Sequence, residues 1–272
     1  MLPIPNGGAH AGNAVAIPHT RANYDAMPAP RLFDRAIIRL TPAADGEDVA
    51  GFLQGLLTND VAKRLPAYAA LLSAQGKTLF DLIVWPAGGG EMLLDCEAAR
   101  ADELVKRLSL YRLRRKIVIE RDDTLGVYWQ PQLGDGGAPD PRLADLGQRW
   151  LAPISDGDEA ADEAWLAHRL RLGVPEGFDE LGELLWLETN AAELNGVAFD
   201  KGCFIGQENT ARMNWRQKVN RRLLVVPLDR SDDSRQRAAY PAHGYAVNHL
   251  RIADFGDLPV PAWLSPALVS PA

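Results

Sequence analysis

The sequence predicts an α+β fold built on antiparallel sheets. Three observations carry this. Strand-like runs come as neighbours joined by tight turns, as at 68–73 and 78–85 across Ala74-Gln75-Gly76-Lys77. Helical apolar spacing (Val49, Phe52, Leu53, Leu56, Leu57) occurs only between groups of strands, so the chain does not alternate strand and helix throughout. The triple glycine at 88–90 is a turn, because no strand leads into a phosphate-cradling glycine motif there.

Order is expected from Arg31. The run 35–40 (RAIIRL) reads as a buried strand. Asp45 is a candidate N-cap for the first helix, with Asp48 three residues on. That helix stops at Thr58-Asn59-Asp60, a polar trio suited to a turn. After the hairpin, 92–96 reads as a strand, with Cys96 in the core among Leu93, Leu94 and Asp95. Ala98, Ala101, Leu104, Val105 and Leu108 place an apolar stripe on a second helix. Eight basic residues from Arg100 to Arg121 form either a solvated face with a charged edge strand or an anion patch. Strands are expected at 127–130 and 146–152, and a helix within 156–172 that ends at Gly173-Val174-Pro175-Glu176-Gly177. Further on, 223–228 is a clean strand, and 245–250 and 260–264 are candidates for two short ones.

At 272 residues the chain is long enough for one large or two ordinary domains. A formal charge of −7 argues against a general nucleic-acid coat. Two cysteines, Cys96 and Cys203, are too few for a secreted disulfide framework and point to a reducing compartment. With five scattered histidines they also make no metal ligand set. No window has the length of apolar residues a membrane span needs. Residues 1–30 lack apolar periodicity and a basic start, and are expected to be a disordered tail.

The most chemically suggestive stretch is Lys201-Gly202-Cys203-Phe204-Ile205-Gly206-Gln207-Glu208. Two glycines let the backbone turn around a thiol, and a lysine lies two residues before it. A nearby ammonium, and the first amides of a helix starting near Glu208, both favour thiolate. The plain alternative is a buried packing cysteine. Glu208 and Arg212 stand four apart, the spacing that supports a short helix.

This octapeptide, followed by Thr210-Ala211-Arg212, resembles the KGC(Y/F)xGQE signature of the YgfZ-type folate-binding proteins, relatives of the glycine-cleavage T-protein (aminomethyltransferase). The stretches 52–61, 72–81, 111–114 and 173–177 are similar to further segments of that family, so the likeness covers roughly 31–228. It implies intertwined ferredoxin-like units forming a folate-binding body (31–215), with a short C-terminal β-barrel (216–272). It implies a bacterial cytoplasmic accessory protein for iron–sulfur cluster assembly or repair, including clusters of radical enzymes that modify tRNA. Tetrahydrofolate or a derivative would be the bound cofactor, and iron–sulfur client or assembly proteins the partners. Membrane contact and direct nucleic-acid binding are not expected.

The resemblance also assigns residues. Cys203 and Lys201 are the catalytic candidates. Gly202, Phe204, Gly206, Gln207, Glu208 and Arg212 make the motif loop, with Glu208 and Arg212 expected to hold that loop against the helix that follows. Asn59, Asp81, Arg171 and Glu188 are candidates for the folate pocket, Arg171 as partner to a carboxylate. One departure bears on activity. T-proteins carry an acidic pair where this chain has Phe80-Asp81. The rival readings are a folate-dependent one-carbon transferase of the T-protein type and an RNA-binding protein using the basic stretches.

Overall fold

The computed structural model describes residues 29–215 and 219–268. In chain order the elements are β1 (Pro30–Leu32), β2 (Arg35–Pro42), α1 (Val49–Gln54), β3 (Ala67–Leu72), β4 (Thr78–Pro86), β5 (Met92–Glu97), α2 (Ala101–Arg112), β6 (Ile117–Arg121), β7 (Leu125–Gln130), β8 (Ala138–Pro139), β9 (Gln148–Pro153) and β10 (Glu159–Ala160). Then come α3 (Asp162–Arg171), α4 (Phe178–Leu181), α5 (Gln207–Trp215), β11 (Arg221–Pro227), β12 (Gln236–Tyr240), β13 (Tyr245–Arg251) and α6 (Ser265–Leu268). The α+β class holds.

Two five-stranded sheets face each other. One has the order β10-β1-β7-β9-β8 and the other β3-β4-β5-β2-β6. All their pairings are antiparallel except β1 with β10. Alternation along β4 sorts the core: Phe80, Leu82 and Val84 point to one face, Ile83 and Trp85 to the other. The first set packs under α1 and α2. The second joins Tyr68, Val127, Trp129 and Trp165 between the two sheets.

The helix start is capped by Asp48, whose Oδ1 accepts from the Gly51 amide at 2.8 Å; Asp45 lies outside the helix. The basic strand β6 is the edge strand of its sheet. Arg100, Arg115 and Arg121 pair with Glu103, Glu47 and Asp123, which reduces the anion-patch reading of that stretch.

The expected C-terminal barrel is not formed. Among the described residues that region is one open sheet of three strands, β11-β13-β12. The polar run 236–240 supplies its third strand, and 260–264 makes a turn before α6. An open sheet needs cover on one face, and it receives its own small core of Leu224, Val226, Phe255 and Leu264. It is stitched to the body by Asn190 Nδ2 donating to the Leu223 carbonyl (2.8 Å), by the Arg222–Glu193 ion pair and by Trp263 Nε1 donating to the Leu172 carbonyl (2.8 Å). The expected tail, residues 1–30, lies outside the described residues but for Ala29 and Pro30, and Pro30 opens β1.

Candidate functional site

Between the two sheets lies a buried ionic centre that the sequence did not announce. Arg35 bonds Asp95 (2.6 Å), Arg149 bridges Asp95 (3.2 Å) and Asp140 (2.9 Å), and Arg142 joins Asp140 (2.7 Å) to Glu176 (2.6 Å). Three guanidiniums meet three carboxylates. The guanidiniums hold Asp140 below, and Glu176 well below, the usual carboxylate range despite burial. Trp165 donates its indole N–H to Glu176 (2.8 Å), and Arg149 lies over the Trp165 ring.

Asp81 is the carboxylate without a cation of its own. It lies on the same face of β4 as Ile83 and Trp85, is 4% exposed and accepts no hydrogen bond from the described residues. Burial pushes it up to about 6, with Arg35 and Arg142 opposing from nearby. Phe80 points to the opposite face, into the core under the helices. An acid at 80 would therefore face away from Asp81, so the two neighbours cannot act on one side of the strand.

Beside this centre a cavity of about 620 Å³ opens among the 59–68 turn, the 138–144 loop and the 192–197 segment. That is the size range of small-molecule sites. Tyr68 and Arg142 line it, Arg142 lying over the Tyr68 ring, while Lys63 and Arg64 stand on its rim. Of the four pocket candidates only Asn59 lines it. Asp81 does not line it, but interacts electrostatically with Tyr68 and Arg142, which do. Arg171 is exposed on α3 against His168, and the buried arginine of that helix is Arg169, paired with Glu180 (2.7 Å). Glu188 faces His249 (3.1 Å) under the C-terminal sheet. Arg171 and Glu188 do not line this cavity. Arg169 carried a signal: it follows the buried Trp165 by four, the spacing of one helix face.

The motif loop reaches the surface at the next turn of chain. Cys203 is a free, exposed thiol, and Cys96 is free and buried. A side chain at Gly202 would meet open space. Lys201 takes backbone partners from a distant turn. Its ammonium is buried and donates to the carbonyls of Leu57 (2.5 Å) and Asn59 (2.9 Å), with Phe204 below it at 5.1 Å. Desolvation holds it down at about 8. Phe204 is buried in the intersheet core. Gly206 has φ +82°, and a Cβ there would lie 2.6 Å from the Ser73 carbonyl oxygen and 3.0 Å from Gly76 Cα, so this glycine is what lets the loop dock on the β3–β4 turn. Asn209 reinforces that docking by donating to the Gln75 carbonyl (2.7 Å). Gln207 opens α5. Glu208 and Arg212 pair with each other (2.8 Å) on its exposed side, so they brace the helix itself rather than hold the loop to it.

The fold, paired sheets around a polar centre with a cavity opening at one end, is similar to that of a solved aminomethyltransferase. The glycine cleavage system aminomethyltransferase T from Bartonella henselae superposes with a TM-score of 0.60 at 14% identity, over 84% of this chain and 80% of that one. No family model matches the chain. The human relative, iron-sulfur cluster assembly factor IBA57, mitochondrial, is 34% identical over 81% of this chain and 73% of its own length. The Mus musculus protein of the same name is 34% identical over 73% of this chain and 66% of its own. The Neurospora crassa homologue is 31% identical, over 68% and 51%. The chain belongs to the IBA57 family of iron-sulfur cluster assembly factors. It spans from about half to about three quarters of the length of these relatives. All three are mitochondrial by name, which overturns the expectation of a bacterial cytoplasmic location. No helix among the described residues is long and apolar enough to cross a membrane.

Proposed function

We propose that this protein is a folate-binding accessory factor for iron–sulfur cluster assembly, acting through tetrahydrofolate and the Cys203 thiol. The observation that carries the reading is that one turn, 57–60, forms part of the cavity wall on one side and holds the Cys203 loop on the other. The cavity fits a folate in kind. Tyr68 offers an aromatic wall, and Lys63 and Arg64 at the rim offer cations suited to carboxylates, while Arg142 is held in place by Asp140 and Glu176. When bound, tetrahydrofolate supplies one-carbon or reducing chemistry; the residues named here bind and orient it. A single exposed thiol cannot hold a cluster, so any contact with iron is shared with a partner protein.

The test is a deletion strain assayed for iron–sulfur enzymes, including radical enzymes that modify tRNA, and complemented with wild type or Cys203→Ser. Wild type restores the activities and Cys203→Ser does not, while its melting temperature stays that of wild type. Full complementation by Cys203→Ser refutes the thiol role. Tetrahydrofolate raises the melting temperature of the isolated protein through linkage. No rise at millimolar folate refutes the cofactor.

A further inference from the structure

The carbonyls of Leu57, Thr58 and Asn59, three in succession, are all taken by one downstream segment. Lys201 Nζ reaches the first and third (2.5 and 2.9 Å), and the Ala198 amide donates to the second (3.1 Å). Side chains extend the seam. Thr58 Oγ1 donates to the Gly196 carbonyl (2.7 Å) and Asn59 Nδ2 to that of Asn195 (2.7 Å). Lys63 bridges Asp60 (3.1 Å) and Asp200 (3.2 Å) at the surface. The seam therefore runs from the cavity wall, through Asn59 and Asn195, to the residue two before the thiol.

We propose that Lys201 is a positioning residue that fastens the Cys203 loop to the cavity wall, so that a ligand in the cavity sets where the thiol is held. The ammonium is suited to this. It is the one group in the seam that bonds two turn carbonyls at once, and its burial against Phe204 keeps water from replacing it. Shift the turn, and both carbonyls move with respect to the lysine. Gly202 has open space where a side chain would stand, and Cys203 after it is exposed. The coupling element is thus a short, contiguous set of bonds rather than a path inferred from distance.

The experiment is hydrogen exchange on the full chain at one pH, reading peptides that cover 55–61 and 198–206, with β4 as control. Lys201→Met is expected to lose protection about tenfold in both peptides together, the effect of roughly 1.4 kcal/mol, with β4 unchanged. Lys201→Arg, which keeps two donors, is expected to stay near wild type, and Lys201→Gln to fall between. If Lys201→Met does not fold, the Arg and Gln variants carry the comparison. Loss confined to 198–206 overturns the clamp, as does no loss in either peptide.

A second arm adds tetrahydrofolate and rests on the folate reading. Protection at 198–206 is expected to rise in wild type and not in Lys201→Met. A melting temperature that rises while 198–206 stays unchanged overturns the coupling and leaves folate binding standing. No change in melting temperature counts against folate, and the ligand-free comparison still decides the clamp.

Discussion

Asp81→Asn should stabilise this protein at neutral pH. The carboxyl is buried, lacks hydrogen bonds among the described residues and sits near 6 instead of 3.8. A carboxyl raised on folding binds its proton more tightly in the native state, so its ionisation costs stability as pH rises from the unfolded value through the folded one. The gap of about 2.2 on the pH scale corresponds to roughly 3 kcal/mol of cost at pH 7.5, nearly fully developed, and about 1 kcal/mol at pH 4.5. Asparagine cannot ionise. The variant's advantage over wild type should therefore grow by about 2 kcal/mol between those two pH values, whatever constant offset its amide brings. Urea unfolding of both proteins at the two pH values measures this, with equal m-values as the condition for comparison. A difference between variant and wild type that does not change with pH would refute the reasoning, because Asp81 would then not be charging at a cost.

Other expectations follow from the same geometry. Gly206→Ala places a methyl against the Ser73 carbonyl at positive φ and should cost about 2 kcal/mol or more in urea unfolding, whereas Gly202→Ala should cost well under 1. Arg169→Met leaves Glu180 buried and uncompensated and should destabilise by about 3–5 kcal/mol, measured the same way. Iodoacetamide at neutral pH should modify one thiol in the native protein, Cys203, and two after unfolding, since burial pushes Cys96 up to about 12; mass spectrometry of the intact chain counts them. A double-mutant cycle on Glu208 and Arg212 should give only about 0.3–0.5 kcal/mol, because the pair is exposed.

What could be read in advance was whatever repeats locally. The β3–β4 hairpin shows a turn between two apolar runs, and α1 and α2 show apolar residues at helical spacing, so all three are present near their expected places, although α1 ends at Gln54 and not at the Thr58-Asn59-Asp60 turn. The ionic centre had no such signature. Arg35, Asp95, Asp140, Arg142, Arg149 and Glu176 come from distant parts of the chain, and each looks alone like a surface residue. Strand β12 was missed because it lies at a sheet edge and its polar side chains stay half wet. Lys201 illustrates the limit differently. Its sequence neighbour suggested a thiol partner, while the partners it takes lie more than a hundred residues earlier.

The corner between β1 and β2 has a consequence for how the chain comes off the ribosome. Residues 35–121 contain every strand of one five-stranded sheet, so that sheet can close as soon as they have emerged. Strand β1, only two residues upstream, belongs to the other sheet, between β7 and β10. It must wait with both edges bare until β7 has been made, and with one edge bare until synthesis has passed Ala160. For that interval the nascent protein holds a finished half and a dangling strand, and a ribosome that stalls between 121 and 160 would display an open pairing edge to its neighbours.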